Sequence, residues 1–309
     1  MAFDLETFSK EVREYGYSQA ILFALHNRYE ILLNWLLKLN FESKYGKGLA
    51  VMEEDWDNLI LLDACRYDTF EQHTRFEGKL DRVISKGNSS PKFMTENFSG
   101  RRLHDVIYVS ANPYSVNIRE GVFFKIISLI DEWDPDSGTV LPEVVISSAM
   151  EAQRNYPDKK LIIHFMQPHA PHIGKYRPGI KQSGVSEIQA AQSDGMNVFD
   201  ACKNGIISHS QLNRSYISNF KFAEEYVERL IHQLIGKTII SADHGENLGE
   251  TYLGKNWYSH SQDTPECRFV PWLELEFSSR KNTKAANPEN YDLPDEDTVN
   301  ERLQNLGYL

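Results

Sequence analysis

The sequence predicts an α/β fold, a three-layer α/β/α sandwich with a mostly parallel central sheet, preceded by an amphipathic N-terminal helix. Short apolar runs alternate along the chain with longer segments of helical periodicity, and this alternation is typical of parallel sheets covered on both faces. Several of the apolar runs end directly in carboxylate or imidazole side chains. Because ligands of open α/β sheets lie beyond the carboxyl ends of the strands, these side chains are candidates for one functional site.

The size and charge of the chain limit the possible functions. Its 309 residues suit one large α/β domain or two small ones, and we expect an N-terminal helical segment, 1–50, followed by one α/β domain, 51–309. The net charge of -11 argues against a protein that binds nucleic acid through phosphate contacts. It does not exclude a phosphorylated substrate, because a bound metal can supply local positive charge.

Cysteine usage indicates a reducing compartment. The three cysteines are widely spaced and form no Cys-x-x-Cys pair, so neither a disulfide framework nor a thiolate zinc site is predicted. The first residues are acidic and polar rather than basic and then apolar, so we expect no signal peptide and a cytoplasmic location. No long uncharged apolar stretch predicts a transmembrane segment.

The first predicted element is a helix over residues 4–39. Apolar side chains recur there at helical spacing, at Ile21, Leu22, Leu25, Tyr29, Leu32, Leu33, Leu36 and Leu37. Arg28, Glu30 and Lys38 interrupt the apolar pattern, which excludes a membrane span. We expect this face to pack on the main domain or on a second copy, giving a homodimer. The alternative is an interfacial membrane helix, which would need a more basic polar face.

The first strand is predicted over 58–62 and ends in Asp63. An aspartate before a helix is commonly an N-cap, but its place at a strand end also makes Asp63 a candidate ligand. Arg66 follows one turn later, where it can pair with Asp63 or bind an anion.

A strand end, a loop and a short helix are predicted over 84–100. Ser90 precedes Pro91, a residue type suited to the first helical position. A hydroxyl at a helix N-terminus is commonly a cap. It is also how a nucleophile is presented where backbone N–H groups can hold an anion.

Three histidines occur within nine positions at the end of the strand predicted over 160–166. His164 lies inside the apolar run, which predicts a packed or hydrogen-bonded core histidine. His169 and His172 lie beyond the run and between prolines, so a rigid loop can aim both imidazoles at the site.

The remaining elements complete the alternation. They are a strand over 106–111, helices over 140–156 and 213–234, a polar insertion or lid over 178–205, a loop over 252–265, a strand over 268–275, a polar linker over 281–295 and a short helix over 301–306.

A β-branched run over 238–241 leads into Asp243, His244 and Gly245. The pattern indicates a buried strand whose carboxyl end carries a hard oxygen and a borderline nitrogen, both suited to one divalent metal. Gly245 allows a sharp turn beyond them. The simpler interpretation of these residues alone is a strand end with a polar turn.

Asp63, Ser90, Asp243 and His244 together form a chemically coherent set. Two carboxylates and an imidazole bind a divalent metal, and such a metal makes a coordinated serine hydroxyl nucleophilic at neutral pH. The set, in this chain order, resembles the alkaline phosphatase superfamily and in particular its sulfatase-like branch. The resemblance covers about residues 55–309 and is carried by the segments 61–66, 168–172, 241–250, 268–271 and 306–308.

The resemblance implies roles for particular residues. Asp63, Asp243 and His244 would bind the metal, and Ser90 would be the nucleophile, with Ser89 as the alternative. The implied substrate-binding residues are Arg66, His169 and His172, of which His169 would contact the anionic ester or a second metal. His260 falls where two-metal phosphatases carry a metal-binding histidine, which favours a second metal.

The sequence also departs from the family pattern. A formylglycine sulfatase needs Pro two residues and Arg four residues after its Cys or Ser, but Lys92 and Met94 occupy those positions after Ser90. The second Asp of the usual sulfatase pair is Ala64. Two-metal enzymes often carry Asp four residues before their His, and the nearest candidate here is Gln167, a poorer ligand.

These observations predict a metal-dependent hydrolase or phosphotransferase that acts on a phosphate ester through a phosphoserine intermediate. One or two divalent ions are expected, of zinc, manganese, magnesium or calcium, and the substrate would be a phosphorylated or sulfated small molecule or glycan. The alternatives are a sulfuric-ester hydrolase and a non-catalytic binding scaffold on the same fold.

Overall fold

The computed structural model describes residues 17–180, 196–291 and 293–306, with side chains from residue 28 onward. The chain divides into two compact units, one of residues 1–46 with 262–264 and the other of residues 47–261 with 265–309. The predicted boundary between residues 50 and 51 stays a prediction, because compactness alone does not define a folding domain.

A seven-stranded sheet lies at the centre of the larger unit. Its spatial order is β2-β11-β8-β1-β7-β3-β4. The strands are β1 (Asn58–Leu62), β2 (Lys79–Ile84), β3 (Leu103–Ser110), β4 (Phe123–Ser128), β7 (Lys160–Phe165), β8 (Thr238–Ser241) and β11 (Phe269–Glu274). The run from β8 to β4 is parallel, and β11 pairs antiparallel with both β8 and β2. The predicted mostly parallel sheet is therefore confirmed.

The remaining elements of the described chain are helices and two small hairpins. The helices are α1 (Tyr17–Tyr45), α2 (Tyr67–His73), α3 (Ser90–Phe98), α4 (Pro142–Asn155), α5 (Val198–Lys203), α6 (His209–Ile231), α7 (Pro265–Arg268) and α8 (Glu296–Asn305). Short 3-10 helices cover Val51–Glu53, Pro113–Asn117 and Ile130–Glu132. The two-stranded pairs are β5 (Trp133–Asp134) with β6 (Thr139–Val140), and β9 (Asn247–Tyr252) with β10 (Lys255–Ser259).

The central strand β1 shows why the domain has three layers. All five of its residues are buried, because helices cover both faces of the sheet. Leu59 and Leu61 belong to a core cluster with Phe93 and Phe98 of α3. Ile60 and Leu62 point to the other face, into a cluster that includes side chains of α4 and α6. The predicted α/β/α sandwich is confirmed.

The parallel strands bring their carboxyl ends to one edge of the sheet. Asp63 directly follows β1, and Leu61 lies opposite both His164 on β7 and Ser241 on β8. Asp243 follows β8, and Asn112 follows β3. The candidate ligands that are far apart in sequence therefore meet at this edge, as the strand pattern predicts.

The predicted N-terminal helix is present as α1, although residues 4–16 of that prediction lie outside the described residues. Leu33, Leu37 and Phe41 are buried, whereas Leu32 and Trp35 belong to an exposed apolar set on the same helix. None of the helices in the described part of the chain is apolar over a length sufficient to cross a membrane. The homodimer through this helix stays a prediction.

Two polar segments differ from their predictions. The insertion expected over 178–205 contains a short helix, α5, which Asn197 caps by accepting a hydrogen bond from Phe199 N; its residues 181–195 lie outside the described part. The segment 281–295, expected to be a polar linker, packs against the amino-terminal ends of the strands. There Lys281 Nζ donates to Asn58 Oδ1 at 2.8 Å, and Ala286 N donates to the His104 carbonyl. Residues 307–309, the end of the last motif, also lie outside it.

Candidate active site

Ser90 begins helix α3 and lies at the carboxyl edge of the sheet. The preceding loop is held against strand β8, because the Ser85 hydroxyl donates to the Asp243 carbonyl oxygen. A Cβ on Gly87 would overlap the backbone of Phe93, so the loop can pass this close to α3 only with glycine. The Ser90 side chain is fully buried as a result.

Asn112 connects the serine to the first carboxylate. Its Nδ2 donates to Ser90 Oγ at 2.9 Å and to Asp63 Oδ2 at 2.6 Å. Ser90 Oγ lies 3.3 Å from Asp63 Oδ2 and 3.3 Å from His244 Nε2. We did not assign a role to Asn112 from sequence; its place directly after strand β3 was the only signal for it.

Acceptor atoms of two carboxylates and an imidazole converge beside Ser90. Asp63 Oδ1 and Asp243 Oδ2 are buried and have no hydrogen-bond partner among the described residues. His244 Nδ1–H donates to the Gly245 carbonyl at 2.8 Å, which leaves a lone pair on Nε2. This Nε2 lies 3.6 Å from Asp63 Oδ1 and 3.4 Å from Asp243 Oδ2. Three such acceptors repel each other in a buried site unless a cation lies between them.

The pKa of Asp63 also indicates that a cation is needed here. Burial, followed by the nearby charge of Asp243, holds the pKa of Asp63 well above its ordinary value. A divalent cation would relieve both effects, because it favours the charged carboxylates. The residues present therefore fit a metal.

His164 adds a nitrogen to this group. Its Nδ1 shares a hydrogen bond with the Tyr108 hydroxyl at 2.7 Å, which is the hydrogen-bonded core histidine predicted. Its Nε2, however, faces the site, 3.8 Å from Asp63 Oδ2 and 3.6 Å from Asp243 Oδ2. Burial lowers the pKa of His164 to about 4, so the imidazole is neutral at pH 7. Asp63, His164 and Asp243 form the first metal-compatible cluster, with ligand atoms within 4.8 Å of one another.

A second cluster consists of His169, Glu246 and His260, again with ligand atoms within 4.8 Å of one another. His169 Nδ1–H donates to the Ala170 carbonyl at 2.5 Å, and His260 Nδ1 lies 3.2 Å from Glu246 Oε1. Burial lowers the pKa of both histidines to about 4 and raises the pKa of Glu246 to about 7. Neutral imidazoles and a buried carboxylate suit a second divalent ion.

His244 lies between the two clusters. Its Nε2 is 3.4 Å from Asp243 Oδ2 of the first cluster, and its ring lies 4.7 Å from the ring of His260 in the second. The sequence predicts that His169 and His260 belong to the site, but it predicts no role for Glu246. The candidate that the sequence offers, Gln167, instead directs its Nε2 to Thr139 Oγ1 and the Val140 carbonyl. The sequence pattern does not reveal the role of Glu246, because only the turn at Gly245 directs the side chain three residues beyond Asp243 into the second cluster.

Arg66, predicted to bind substrate, is engaged by protein groups. Its guanidinium pairs with Asp68 at 2.6 Å and with Glu250 at 2.5 Å, and it donates to the Glu246 carbonyl at 3.2 Å. These contacts join the turn after β1 to the segment that carries Glu246. Its role in substrate binding stays a prediction.

His172 lies on the side of helices α5 and α6. Its Nδ1 is 2.8 Å from Ser215 Oγ, and its ring packs edge-on against Phe199 and Tyr216. Burial, with a smaller contribution from His169, lowers the pKa of His172 to about 3. Its contact with substrate also stays a prediction.

No protein-family model matches the chain, and no curated protein matches it by sequence. Solved structures with a similar fold include the soluble domain of lipooligosaccharide phosphoethanolamine transferase A from Neisseria meningitidis, at 14% identity and a TM-score of 0.45, covering 71% of this chain and 76% of that one. A protein in the alkaline phosphatase superfamily from Vibrio parahaemolyticus matches at 12% identity and a TM-score of 0.43, covering 76% and 64%. A structure of BT4656 in complex with D-glucosamine-2-N,6-O-disulfate matches at 12% identity and a TM-score of 0.47, covering 81% and 76%.

One of these neighbours is described as a member of the superfamily that the sequence motifs resemble.

Proposed function

We propose that the protein is a metal-dependent phosphoric-ester hydrolase or phosphotransferase with Ser90 as its nucleophile. The observation that carries this proposal is the convergence of three acceptors around a fully buried serine hydroxyl. Asp63 Oδ1 and Asp243 Oδ2 have no hydrogen-bond partner among the described residues, and His244 Nε2 lies within 3.6 Å of both. Burying such groups next to each other lowers the stability of the folded protein. A non-catalytic binding scaffold gains nothing from this arrangement, whereas a metal-dependent enzyme uses it.

The first metal would be held by Asp63, Asp243 and His244 together with the Ser90 hydroxyl, and the second by His169, Glu246 and His260. When bound, a divalent metal lowers the pKa of a coordinated hydroxyl and offsets the negative charge of a phosphate group. The donor set of oxygen and imidazole nitrogen is compatible with zinc or manganese and does not select between them.

The residues of the chain would then act as follows. Asn112 Nδ2–H orients Ser90 Oγ, which attacks phosphorus in line, forming the serine O–P bond as the bond to the leaving oxygen breaks. The serine proton passes to Asp63 Oδ2, a carboxylate oxygen 3.3 Å away, and the leaving oxygen takes up a proton from solvent. Water or an acceptor alcohol then takes the phosphoryl group and restores the serine. The backbone N–H groups that begin α3 face the anionic phosphate.

The second candidate function is sulfuric-ester hydrolysis. The similarity of phosphate and sulfate esters as tetrahedral anions favours it, but Lys92 and Met94 occupy the positions that formylglycine formation requires as Pro and Arg. Phosphoryl transfer through an unmodified serine is therefore the better supported reaction.

The test compares Ser90→Ala with Ser89→Ala, a matched control one residue away. Ser89 is the N-cap of α3 and makes no side-chain capping hydrogen bond, so its hydroxyl should be dispensable. Each protein is assayed on a phosphate monoester, a phosphate diester and a sulfate ester with added zinc or manganese. We expect Ser90→Ala to lower kcat on the phosphate esters by roughly a thousandfold or more, and Ser89→Ala to change it by less than about threefold.

A second readout identifies the intermediate. After an acid quench of the wild type during turnover, mass spectrometry should find phosphoserine on the peptide that contains Ser90. Phosphate on Ser89 would reassign the nucleophile, and faster turnover of the sulfate ester would favour the second function. Stoichiometric metal without turnover of any ester would contradict the enzymatic proposal.

A further inference from the structure

A cavity of about 650 Å³ lies along helix α3, and none of the residues of the two metal-compatible clusters lines it. We call it the α3 groove. Its walls are the helix itself, the turn over residues 99–102 and the segment over residues 114–122. The volume is within the range of small-molecule binding sites in proteins, about 300–1,000 Å³.

One end of the α3 groove is lined by Pro91 and Tyr114, which are close in the chain to Ser90 and Asn112; Ser90 itself is fully buried and lies outside the lining. Pro91, which lines it, directly follows Ser90 in the same helix. Tyr114, on the opposite wall, donates its backbone N–H to Asn112 Oδ1 at 2.9 Å, and Asn112 in turn contacts Ser90. Both walls are therefore continuous with the residues that hold the serine hydroxyl.

The other end lies beyond the last turn of α3. From Ser90 to Phe98 the helix rises about 12 Å, at 1.5 Å per residue. Arg102 and Arg119 line the groove in the segments at that end. A ligand that reached from the serine to the arginines would therefore span roughly 12 Å.

The lining changes in character along this length. Its middle is apolar and includes Met94, Phe98 and Ile118. Arg102 and Arg119 are exposed, and neither guanidinium makes an ion pair or hydrogen bond to another described residue. Arg101 also lines the groove, but it is paired with Glu53 at 2.6 Å. Guanidinium groups with free donors bind carboxylates and phosphates strongly, often through two hydrogen bonds.

We propose that the α3 groove binds an apolar chain that ends in an anionic group. This inference rests on the proposed function in one respect: Ser90 fixes the reacting end. The preferred substrate is then a phosphate ester whose alcohol part is apolar and carries a second anion about 12 Å from the reacting phosphorus. The arginines recognise that anion, and Met94, Phe98 and Ile118 contact the apolar part.

The kinetic test uses two phosphate monoesters that differ only at the remote end, octyl phosphate and 8-carboxyoctyl phosphate. We expect the wild type to favour the carboxylate ester in kcat/KM by roughly tenfold, since one charge-assisted contact has about this effect. In the double variant Arg102→Gln, Arg119→Gln the ratio should fall to near one. Lys92→Gln is the control, because Lys92 lies on the same helix, pairs with Glu96 at 2.7 Å and does not line the groove; it should keep the wild-type ratio.

A binding measurement separates this inference from the proposed function. Octanoate, titrated by calorimetry, should bind the wild type and Ser90→Ala equally and bind the double arginine variant roughly tenfold more weakly. If octanoate binding depends on the arginines but no ester is turned over, the proposed ligand of the α3 groove stands and the proposed role of Ser90 is contradicted. Two results would overturn the proposal that the α3 groove binds an apolar chain with an anionic end. One is equal octanoate binding by the wild type and the arginine variant, and the other is equal kcat/KM for the two esters in the wild type.

Discussion

At the scale of single residues, burial lowers the pKa of the histidines in and beside the two clusters. His164, His169, His172 and His260 all lie within the protein, and burial is the largest cause that lowers each pKa. A neutral imidazole is the form that binds a metal, so burial keeps the histidines of the clusters in their metal-binding form at pH 7. The same effect makes the fold sensitive to acid, because the unfolded chain can protonate these rings and the folded chain resists it.

His172 allows this to be tested away from the two clusters. Its pKa falls from 6.5 in the unfolded chain to about 3 in the folded protein. Its contribution to stability is therefore present above pH 6.5 and is lost as the pH falls toward 3. Between pH 7.5 and pH 5, we expect the wild type to lose about 2 kcal/mol more of its free energy of unfolding than His172→Gln loses.

The measurement is urea unfolding of both proteins at the two pH values, with a chelator present throughout. His232→Gln, at the exposed C-cap of α6, is the control for the replacement of a histidine by glutamine. The same pH dependence in His172→Gln and the wild type would contradict the effect of burial.

At the scale of elements, Gly245 determines how the metal-binding turn packs. The sequence predicted a glycine that permits a sharp turn, and the structure gives a further reason. A Cβ on Gly245 would overlap the Glu266 carbonyl oxygen on α7, and Gly245 N donates to the Cys267 carbonyl at 2.8 Å. The turn that presents His244 and Glu246 can therefore lie against α7 only without a side chain between them.

Replacing Gly245 by alanine should force this turn away from α7. We expect Gly245→Ala to lower the free energy of unfolding by about 2 kcal/mol, the usual cost of overpacking, and to weaken metal binding. Chemical denaturation and metal titration would measure the two effects. Gly179→Ala is the matched control, because a Cβ there meets no atom within 4 Å. A stability of Gly245→Ala equal to that of the control would show that the turn can relax.

At the scale of the whole molecule, bound metal should couple the site to the stability of the fold. The two clusters take ligands from the ends of β1, β7 and β8 and from the segments after them, so an ion bound there links distant parts of the chain. A ligand that binds only the folded state stabilises it by about 2.7 kcal/mol at a concentration one hundred times its dissociation constant. Removing metal should therefore lower the thermal midpoint as well as the activity.

The number of ions is a separate expectation. Elemental analysis should find about two ions per chain in the wild type, as a two-metal site requires, and about one in Glu246→Gln. Glu266→Gln is the control, because Glu266 hydrogen-bonds to Tyr252 and belongs to neither cluster. If the wild type holds a single ion and Glu246→Gln still holds it, the second cluster does not bind a metal.

Much of the fold could be predicted because local patterns determine it. The apolar runs that became β1, β7 and β8 are continuous and short, as buried parallel strands are, and helical segments separate them. Parallel strands align their carboxyl ends, so the positions of Asp63, Asp243 and His244 in the sequence were enough to place them together. The α5 helix and the packing of 281–295 depend on contacts with distant parts of the chain, which a local pattern does not contain.

The sequence by itself determined the parallel sheet and the meeting of Asp63, Ser90, Asp243 and His244, because strand direction and helix starts are set by local order. The tertiary structure alone decided the partners of those residues. Asn112 and His164 join the first group across neighbouring strands, and Glu246 reaches the second group only through the turn at Gly245. Packing also decides that Arg66 forms ion pairs and that Arg102 and Arg119 line the α3 groove. Whether a charged side chain finds a partner depends on distances in the folded chain, which sequence separation does not give.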